Sequence, residues 1–316
     1  SCTNSSMIVF STCWNSSRHS NGDEMIEEIL ALGFDSVELS HGLKLSLLPG
    51  VLKLVNEGRV RVAGVHNFFP APIDVSVDAP DCVEFTSFRK EERDRALKLS
   101  LKSIEEAARI GATYVVLHLG SVATLNRRKG TSILEKMAVS GRLPSDEYRD
   151  FKNDFVKKRR AYGALYLDRA RLALHELATK AAELGIKLGI EARSHYEQVP
   201  DEEEMQVLMQ EFAENDFVGY WHDFGHIQRK HNLLLLNHEQ VLSNMSPSII
   251  GAHVNDVRWP MADHRSPFYG GDVDFARLMP LLPKDIPLVW ELSGSRDAEE
   301  IKSSLALWKE KFPQHV

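Results

Sequence analysis

Short β-rich runs, each ending in a polar residue, alternate along the chain with longer stretches of helical period. The runs begin at Met7 (MIVFSTCW), Ser36 (SVELSHG), Val60 (VRVAGVHN), Thr113 (TYVVLHLG), Ile186 (IKLGIEAR), Val218 (VGYWHDFGH), Ile249 (IIGAHVND) and Pro287 (PLVWELSG), which makes eight predicted strands. Between them three apolar stripes predict helices: Met25, Ile29 and Leu32; Leu97, Leu101, Ile104 and Ala108; and Leu172, Leu174, Leu177, Ala181 and Leu184. Gly33, Gly111 and Gly185 each fall just past a helix, where a left-handed residue closes the last turn.

Apolar strands alternating with helices predict a parallel sheet buried on both faces, and eight strands are the number that closes into a (β/α)8 TIM barrel, an α/β fold. A doubly wound open sheet is the alternative, but the first strand is not followed by the glycine-rich phosphate turn that often marks it. A barrel accounts for all 316 residues as a single domain, 1–316. Two units are oversized. The stretch after the third strand holds Pro70, Pro72 and Pro80, and the stretch after the fourth runs from about Ser121 to Asp150 before a long helix. Enlarged loops there would lie on the C-terminal face of a barrel, where a lid over the site is expected.

Polar residues stand where the apolar runs end. His66, His118, Glu191, Asp223, His253 and Glu291 occupy the C-terminal ends of predicted strands three to eight, one per strand. In a barrel those positions point into one mouth, so six ligand-type side chains would converge there. Each alone is more often a hydrogen-bonded structural residue or a helix cap, but six in register are not expected by chance, since buried carboxylates without a counter-charge are costly. Glu191, Asp223, His253 and Glu291 together offer three carboxylates and an imidazole, a donor set for a divalent ion such as Mn2+ or Mg2+, with Co2+ or Zn2+ as alternatives. Without a cation the carboxylates would repel and at least one would take up a proton.

These residues resemble the xylose isomerase-like barrels, a superfamily that also contains endonuclease IV. The resemblance rests on the Glu of LGIEAR, the Asp-x-x-His of HDFGH, the His of GAHVND and the Glu of VWELSG, and covers nearly the whole chain. It implies that Glu191, Asp223, His253 and Glu291 are metal ligands, that His226 contacts substrate or a further metal, and that Glu191 and Glu291 also move the proton, as in the superfamily's sugar epimerases and isomerases. Such chemistry passes through an enediolate, which a divalent ion stabilises. VHNFF and VLHLGS resemble the strand-three and strand-four ligands of endonuclease IV, which implies a second metal at His66 and His118, bridged by Glu191. The chain departs from that pattern at Asp263 and His264, which are adjacent where endonuclease IV spaces an Asp-x-His pair.

Composition narrows the function classes. With 43% hydrophobic and 26% charged residues the chain is an ordinary globular protein, and 38 basic against 45 acidic residues leave a net charge of −7. That field opposes nucleic acid or an anionic membrane unless a local patch overrides it, and no apolar run of about 18 residues reads as a membrane span. Lys157, Lys158, Arg159 and Arg160 form a basic cluster, but interleaved Asp146, Glu147, Asp150 and Asp154 favour a solvated helix face. Arg193, two residues beyond Glu191, reads either as an anchor for a substrate carboxylate or phosphate or as half of a salt bridge with a barrel carboxylate. Trp14, Asn15, Phe68, Phe69 and Trp259 are candidates for a sugar-facing wall or for packing. Cys2, Cys13 and Cys82 are too scattered for a disulfide framework, which fits a reducing, cytoplasmic setting. Met7 as initiator would make residues 1–6 non-native; a processed start with a lipid on Cys2 is the alternative. The expectation is a metal-dependent isomerase or epimerase with a small carbohydrate substrate, no nucleic acid or membrane partner, and a homo-oligomer left open. An endonuclease IV-like phosphodiesterase and a keto-sugar or inosose lyase or dehydratase are the alternatives.

Overall fold

The computed structural model describes residues 8–72, 79–126, 128–259 and 262–316. Cys2, Met7 and the readings placed on residues 1–6 lie outside them. Eight parallel strands close into a barrel: β1 (Ile8–Ser11), β2 (Ser36–Leu39), β3 (Arg61–His66), β4 (Tyr114–Leu117), β5 (Lys187–Glu191), β6 (Val218–Asp223), β7 (Ile249–Val254) and β8 (Leu288–Trp290). Neighbours in sequence are neighbours in the barrel, and β8 returns to β1 with Ile8 opposite Leu288 and Phe10 opposite Trp290. The predicted runs are longer than these strands because their polar ends leave the ladder and become the loops of the mouth.

Helices α1 (Gly22–Leu32), α2 (Leu48–Asn56), α3 (Lys90–Arg109), α4 (Gly130–Val139), α5 (Asp146–Leu184), α6 (Glu202–Glu211), α7 (Phe224–Asn232), α8 (His238–Met245) and α9 (Ala298–Lys311) flank the strands. Helix α1 buries Met25, Ile29 and Leu32 as predicted, and Gly33 closes it at φ 105°. On α3 the fully buried face is Ala96, Ser100, Ser103, Ile104 and Ala107; Leu97, Leu101 and Ala108 flank it half-buried, because small residues let this helix approach the barrel closely. The third stripe is corrected at both ends. Leu174, Leu177 and Ala181 are buried, but Leu172 is 79% exposed and Leu184 39% exposed, since the 39-residue α5 is fastened along one narrow line. The stretch after β4 is not structureless, for it contains α4 before Ser145 caps α5.

The basic cluster lies on α5, where the expectation of a solvated face holds only in part. Lys158 pairs with Asp154 and Arg160 with Glu203 at the surface. Arg159 is fully buried, donating to the carbonyls of Tyr196 and Gln198 at 2.9 and 3.0 Å and to Glu204 at 2.5 Å. It clamps the segment after β5 to the long helix. Two short antiparallel ribbons also rise from the mouth, Gly120–Ser121 against Gln198–Val199 and Asp256–Arg258 against Ala262–Arg265.

Inside the barrel, Val9, Ala63, Tyr114, Val116, Trp221 and Val289 form a separate apolar plug. The indole of Trp221 lies against Gly189 and Gly251, and the Tyr114 ring against Gly64. Each glycine makes room for an aromatic that a single strand could not otherwise place on the axis. Since side chains alternate along a strand, Glu191, Asp223 and His253 point inward two residues above Gly189, Trp221 and Gly251. The plug is therefore the floor of the mouth.

A methyl group at Gly251 would collide with the Trp221 ring, which is fully buried and has no room to retreat. Gly251→Ala should cost ~1–3 kcal/mol, the ordinary penalty for overpacking. Urea denaturation checks it, and an unchanged midpoint would mean that the plug is loosely packed.

Candidate metal centre at the barrel mouth

All six strand-end residues named from the sequence meet in one buried cluster, and Glu191 is its hub. His66 Nε2 lies 3.1 Å and His118 Nε2 2.5 Å from Glu191 Oε2, while His253 Nδ1 lies 2.7 Å from Oε1. His253 continues the network through Nδ1 to Asp223 Oδ2 at 3.5 Å and through Nε2 to Glu291 Oε2 at 3.2 Å. Glu191 and Glu291 thus approach opposite nitrogens of one imidazole.

Each side chain is positioned from behind. His66 Nδ1 bonds the Asn67 carbonyl at 3.0 Å, and His118 Nδ1 bonds Asp81 at 3.2 Å, leaving both Nε2 atoms aimed at Glu191. Asp223 ends β6 and caps α7, its Oδ1 accepting the His226 amide at 3.0 Å. The His226 ring bonds the Ala192 carbonyl through Nδ1 at 2.8 Å and stands 3.6 Å from Asp223 Oδ2. His264 contacts the Glu291 carbonyl at 3.1 Å and faces the His226 ring at 6.0 Å. Asp263, its neighbour, is exposed.

The charges sort themselves. Burial opposes ionisation of Glu191, but the charges and hydrogen bonds of His253 and His118 hold it well below the usual carboxylate range. Burial likewise opposes Asp223, and His226 and His253 outweigh it, so that carboxyl is lowered too. Glu291 goes the other way: burial, against the pull of His253 and with the repulsion of Glu191, raises it. One carboxyl of the three is thus biased towards its protonated form when no ion is bound, as charge repulsion requires. Among the imidazoles, burial opposes protonation throughout. Glu191 nevertheless raises His66, and Glu291, Glu38 and Glu191 raise His253 far above the ordinary value. His118 reaches about 9 because Glu191 and Asp81 outweigh burial and Arg193.

Among the described residues, donor atoms suited to a metal ion form two overlapping groups, His66, Glu191, His253 and Glu291, and Glu191, Asp223 and His226. The predicted set of Glu191, Asp223, His253 and Glu291 spans both, with Glu191 common to each. The fit to a cation is supported by Asp223 Oδ2, a fully buried carboxylate oxygen that makes no close hydrogen bond, its nearest partners being the His253 and His226 Nδ1 atoms at 3.5 and 3.6 Å. Such an atom is costly unless a positive group faces it.

Arg193 sits in an ion pair with Asp81 at 2.7 Å and donates to the carbonyls of Gly120 and Val199. Asp81 in turn holds His118, so the guanidinium braces the cluster through a carboxylate from the loop after β3. Trp14, Asn15, Phe68 and Phe69 are buried, and only Trp259 of the aromatic candidates is half-exposed. Three residues escaped the sequence reading. Glu38 on β2 bonds His253 Nε2 at 2.9 Å; His41 faces His66 at 5.1 Å, its pKa held to about 3 by burial and the neighbouring histidines; and Asp81 orients His118. A carboxylate inside the apolar run SVELS was the available signal for Glu38, whereas His41 and Asp81 lie in loops that carry no periodic signal.

A closed parallel barrel carries carboxylates and imidazoles that converge at the C-terminal ends of its strands, which is the architecture of a TIM barrel with its polar site at the mouth. The chain belongs to the xylose isomerase-like TIM barrel family, whose model matches residues 26–311. The fold is similar to a D-tagatose 3-epimerase-like protein at 18% identity, TM-score 0.65, covering 98% of this chain and 97% of that one. It is similar to 3-keto-D-glucoside 4-epimerase from E. coli at 18% identity, TM-score 0.65, covering 97% and 100%. D-allulose 3-epimerase from Methylomonas sp. matches at 13% identity, TM-score 0.63, covering 96% and 97%. No curated protein matches the chain in sequence. The family is named for an enzyme and these neighbours are sugar epimerases; this chain is a member of that enzyme family. Among the described residues no helix is long and apolar enough to cross a membrane.

Protonated His118 stabilises the metal-free fold. Because its folded pKa is raised, that contribution is complete below about 6.5, the value in an unfolded chain, and is lost as pH rises through about 9. The loss should be on the order of 3 kcal/mol. Urea denaturation in chelator at about pH 6 and about pH 9.5 checks it. His118→Gln should show a smaller fall than the wild type; equal falls would remove His118 as the cause.

Proposed function

We propose that this protein is a divalent-metal-dependent isomerase or epimerase acting on a sugar or related polyhydroxy carbonyl compound. Glu191, Asp223, His253 and Glu291 would hold the ion, and Mn2+, Mg2+, Co2+ and Zn2+ all suit the donors. The ion supplies Lewis-acid polarisation of a carbonyl and its neighbouring hydroxyl. The observation that carries the reading is the placement of Glu191 and Glu291 against opposite nitrogens of His253. Two carboxylates held around one ligand imidazole would both border a carbon bound at the ion. One removes the proton beside the carbonyl, giving an enediolate, and the other returns it, which inverts the centre. His226, fixed by the Ala192 carbonyl beside Asp223, is placed to meet a substrate hydroxyl, and the buried floor of Trp221 keeps water from below. Arg193 acts through its pairing with Asp81 and His118. Family membership and epimerase neighbours support the same reading.

Glu191→Gln and Asp223→Asn should each lower bound Mn2+ at least ~10-fold and epimerisation of a ketose panel by ~10^2-fold or more. Elemental analysis and chromatography of the sugars check this; wild-type protein that takes up no metal after reconstitution would defeat it.

A second reading has its own observation, since His66 and His118 both aim Nε2 at Glu191 Oε2. That geometry suits a second ion bridged by Glu191, and paired ions roughly 3.5–4 Å apart favour hydrolytic chemistry. Crystals soaked in Mn2+ and measured for anomalous scattering should contain one strong peak beside His253 and a weaker one beside His66 and His118. Two full peaks, with metal-dependent nicking of abasic DNA, would favour a phosphodiesterase despite the net charge of −7; two full peaks without nicking would favour lyase chemistry.

A further inference from the structure

Glu38 belongs neither to the proposed ligand set nor to the proton-moving pair, yet it is a fully buried carboxylate at the barrel axis. It reaches from β2 across to β7, two strands that are not neighbours in the sheet, and its Oε2 lies 2.9 Å from His253 Nε2. Its other oxygen, Oε1, is buried with no hydrogen-bond partner. Apart from the Tyr114 hydroxyl beside it, that carboxylate bonds only His253 among the described residues, and an apolar residue in β2 would avoid the cost of burying it.

A use for it follows from the chemistry of His253. An imidazole that binds an ion through one ring nitrogen carries its proton on the other, and the acceptor facing that second nitrogen decides which tautomer is held. Nδ1 faces Glu191 at 2.7 Å and Asp223 at 3.5 Å, the carboxylates of the ligand set. Nε2 faces Glu38 at 2.9 Å and Glu291 at 3.2 Å, and Glu291 is itself a ligand. The ring plane is already set by His66, stacked at 5.7 Å with planes 9° apart, and by Trp221 at 5.5 Å. What packing leaves open is the position of the proton. We propose that Glu38 is the positioning residue that keeps the proton of His253 on Nε2 and so presents Nδ1 to the ion. This rests on the metal reading above.

The test is Mn2+ binding to the full chain by calorimetry in Glu38→Ala, Glu38→Gln and Glu38→Asp, with circular dichroism as the folding check. Alongside it, nitrogen-15 NMR of the Zn2+-loaded protein reads the His253 tautomer, with the signal assigned by its loss in His253→Gln. Glu38→Ala should bind Mn2+ ~10–100-fold more weakly, as loss of a partner behind a ligating histidine does. Glu38→Gln, whose amide oxygen still accepts from Nε2, should stay within roughly threefold of wild type. The NMR should place the His253 proton on Nε2. A folded Glu38→Ala that binds like wild type, or a wild-type proton on Nδ1, overturns the assignment. So does a Glu38→Gln as weak as Glu38→Ala, which would make charge and not the hydrogen bond the cause. If Glu38→Ala does not fold, Glu38→Asp decides: with its carboxylate withdrawn by one methylene it should bind more weakly than Glu38→Gln, and equal wild-type binding by both overturns the proposal. Wild-type protein that binds no Mn2+ defeats the metal reading and this one together; the other outcomes leave that reading standing.

Discussion

The structure of the mouth depends on one buried ion, the carboxylate of Glu191. An isolated charge there would be prohibitive, so it must be surrounded by donors, and three histidines from three other strands supply them. Each histidine then needs an acceptor for its second nitrogen. The Asn67 carbonyl serves His66, Asp81 serves His118, and Glu38 serves His253. Asp81 requires Arg193, which requires the carbonyls of the small ribbon above β4 and β5. The polar network of the barrel can be followed outward from that single group.

Beneath it the constraint is volume. Trp221 and Tyr114 fill the axis only because Gly64, Gly189 and Gly251 give up their side chains. This packing sets the height at which the next inward residues emerge, and those residues are Glu191, Asp223 and His253. An apolar floor also keeps the dielectric low on that side, which strengthens every interaction among the groups above it.

Much of this was legible in the chain. The strand count and the six convergent side chains follow from apolar runs that each end in a polar residue, because a barrel turns strand ends into one mouth. The resemblance of LGIEAR, HDFGH, GAHVND and VWELSG to a known family pointed to the same positions. Other parts were not legible, for physical reasons. Glu38 stands below the end of its run, where an alternating pattern reads as a half-exposed strand. Asp81 and His41 come from irregular segments whose path no periodicity predicts. Arg159 stood in a row of four cations, and nothing local distinguishes the one that turns inward to meet carbonyls of a segment nearly forty positions away. Helical spacing turns Leu172 inward, but a helix as long as α5 outruns the surface that could cover it.

The closure of β8 onto β1 has a consequence for the making of the protein. The last ligand-type residue, Glu291, follows immediately on the strand that seals the barrel, and its amide bonds Val254 of β7. A ribosome releases the chain from the N-terminus, so the acidic and imidazole groups of the first seven strands exist for a time without their final partner and without a closed wall. An open sheet leaves its inward-facing groups within reach of water, where their charges cost little. The cost of burying Glu191 falls due only when the ring shuts, at the moment when all the groups that offset it are present.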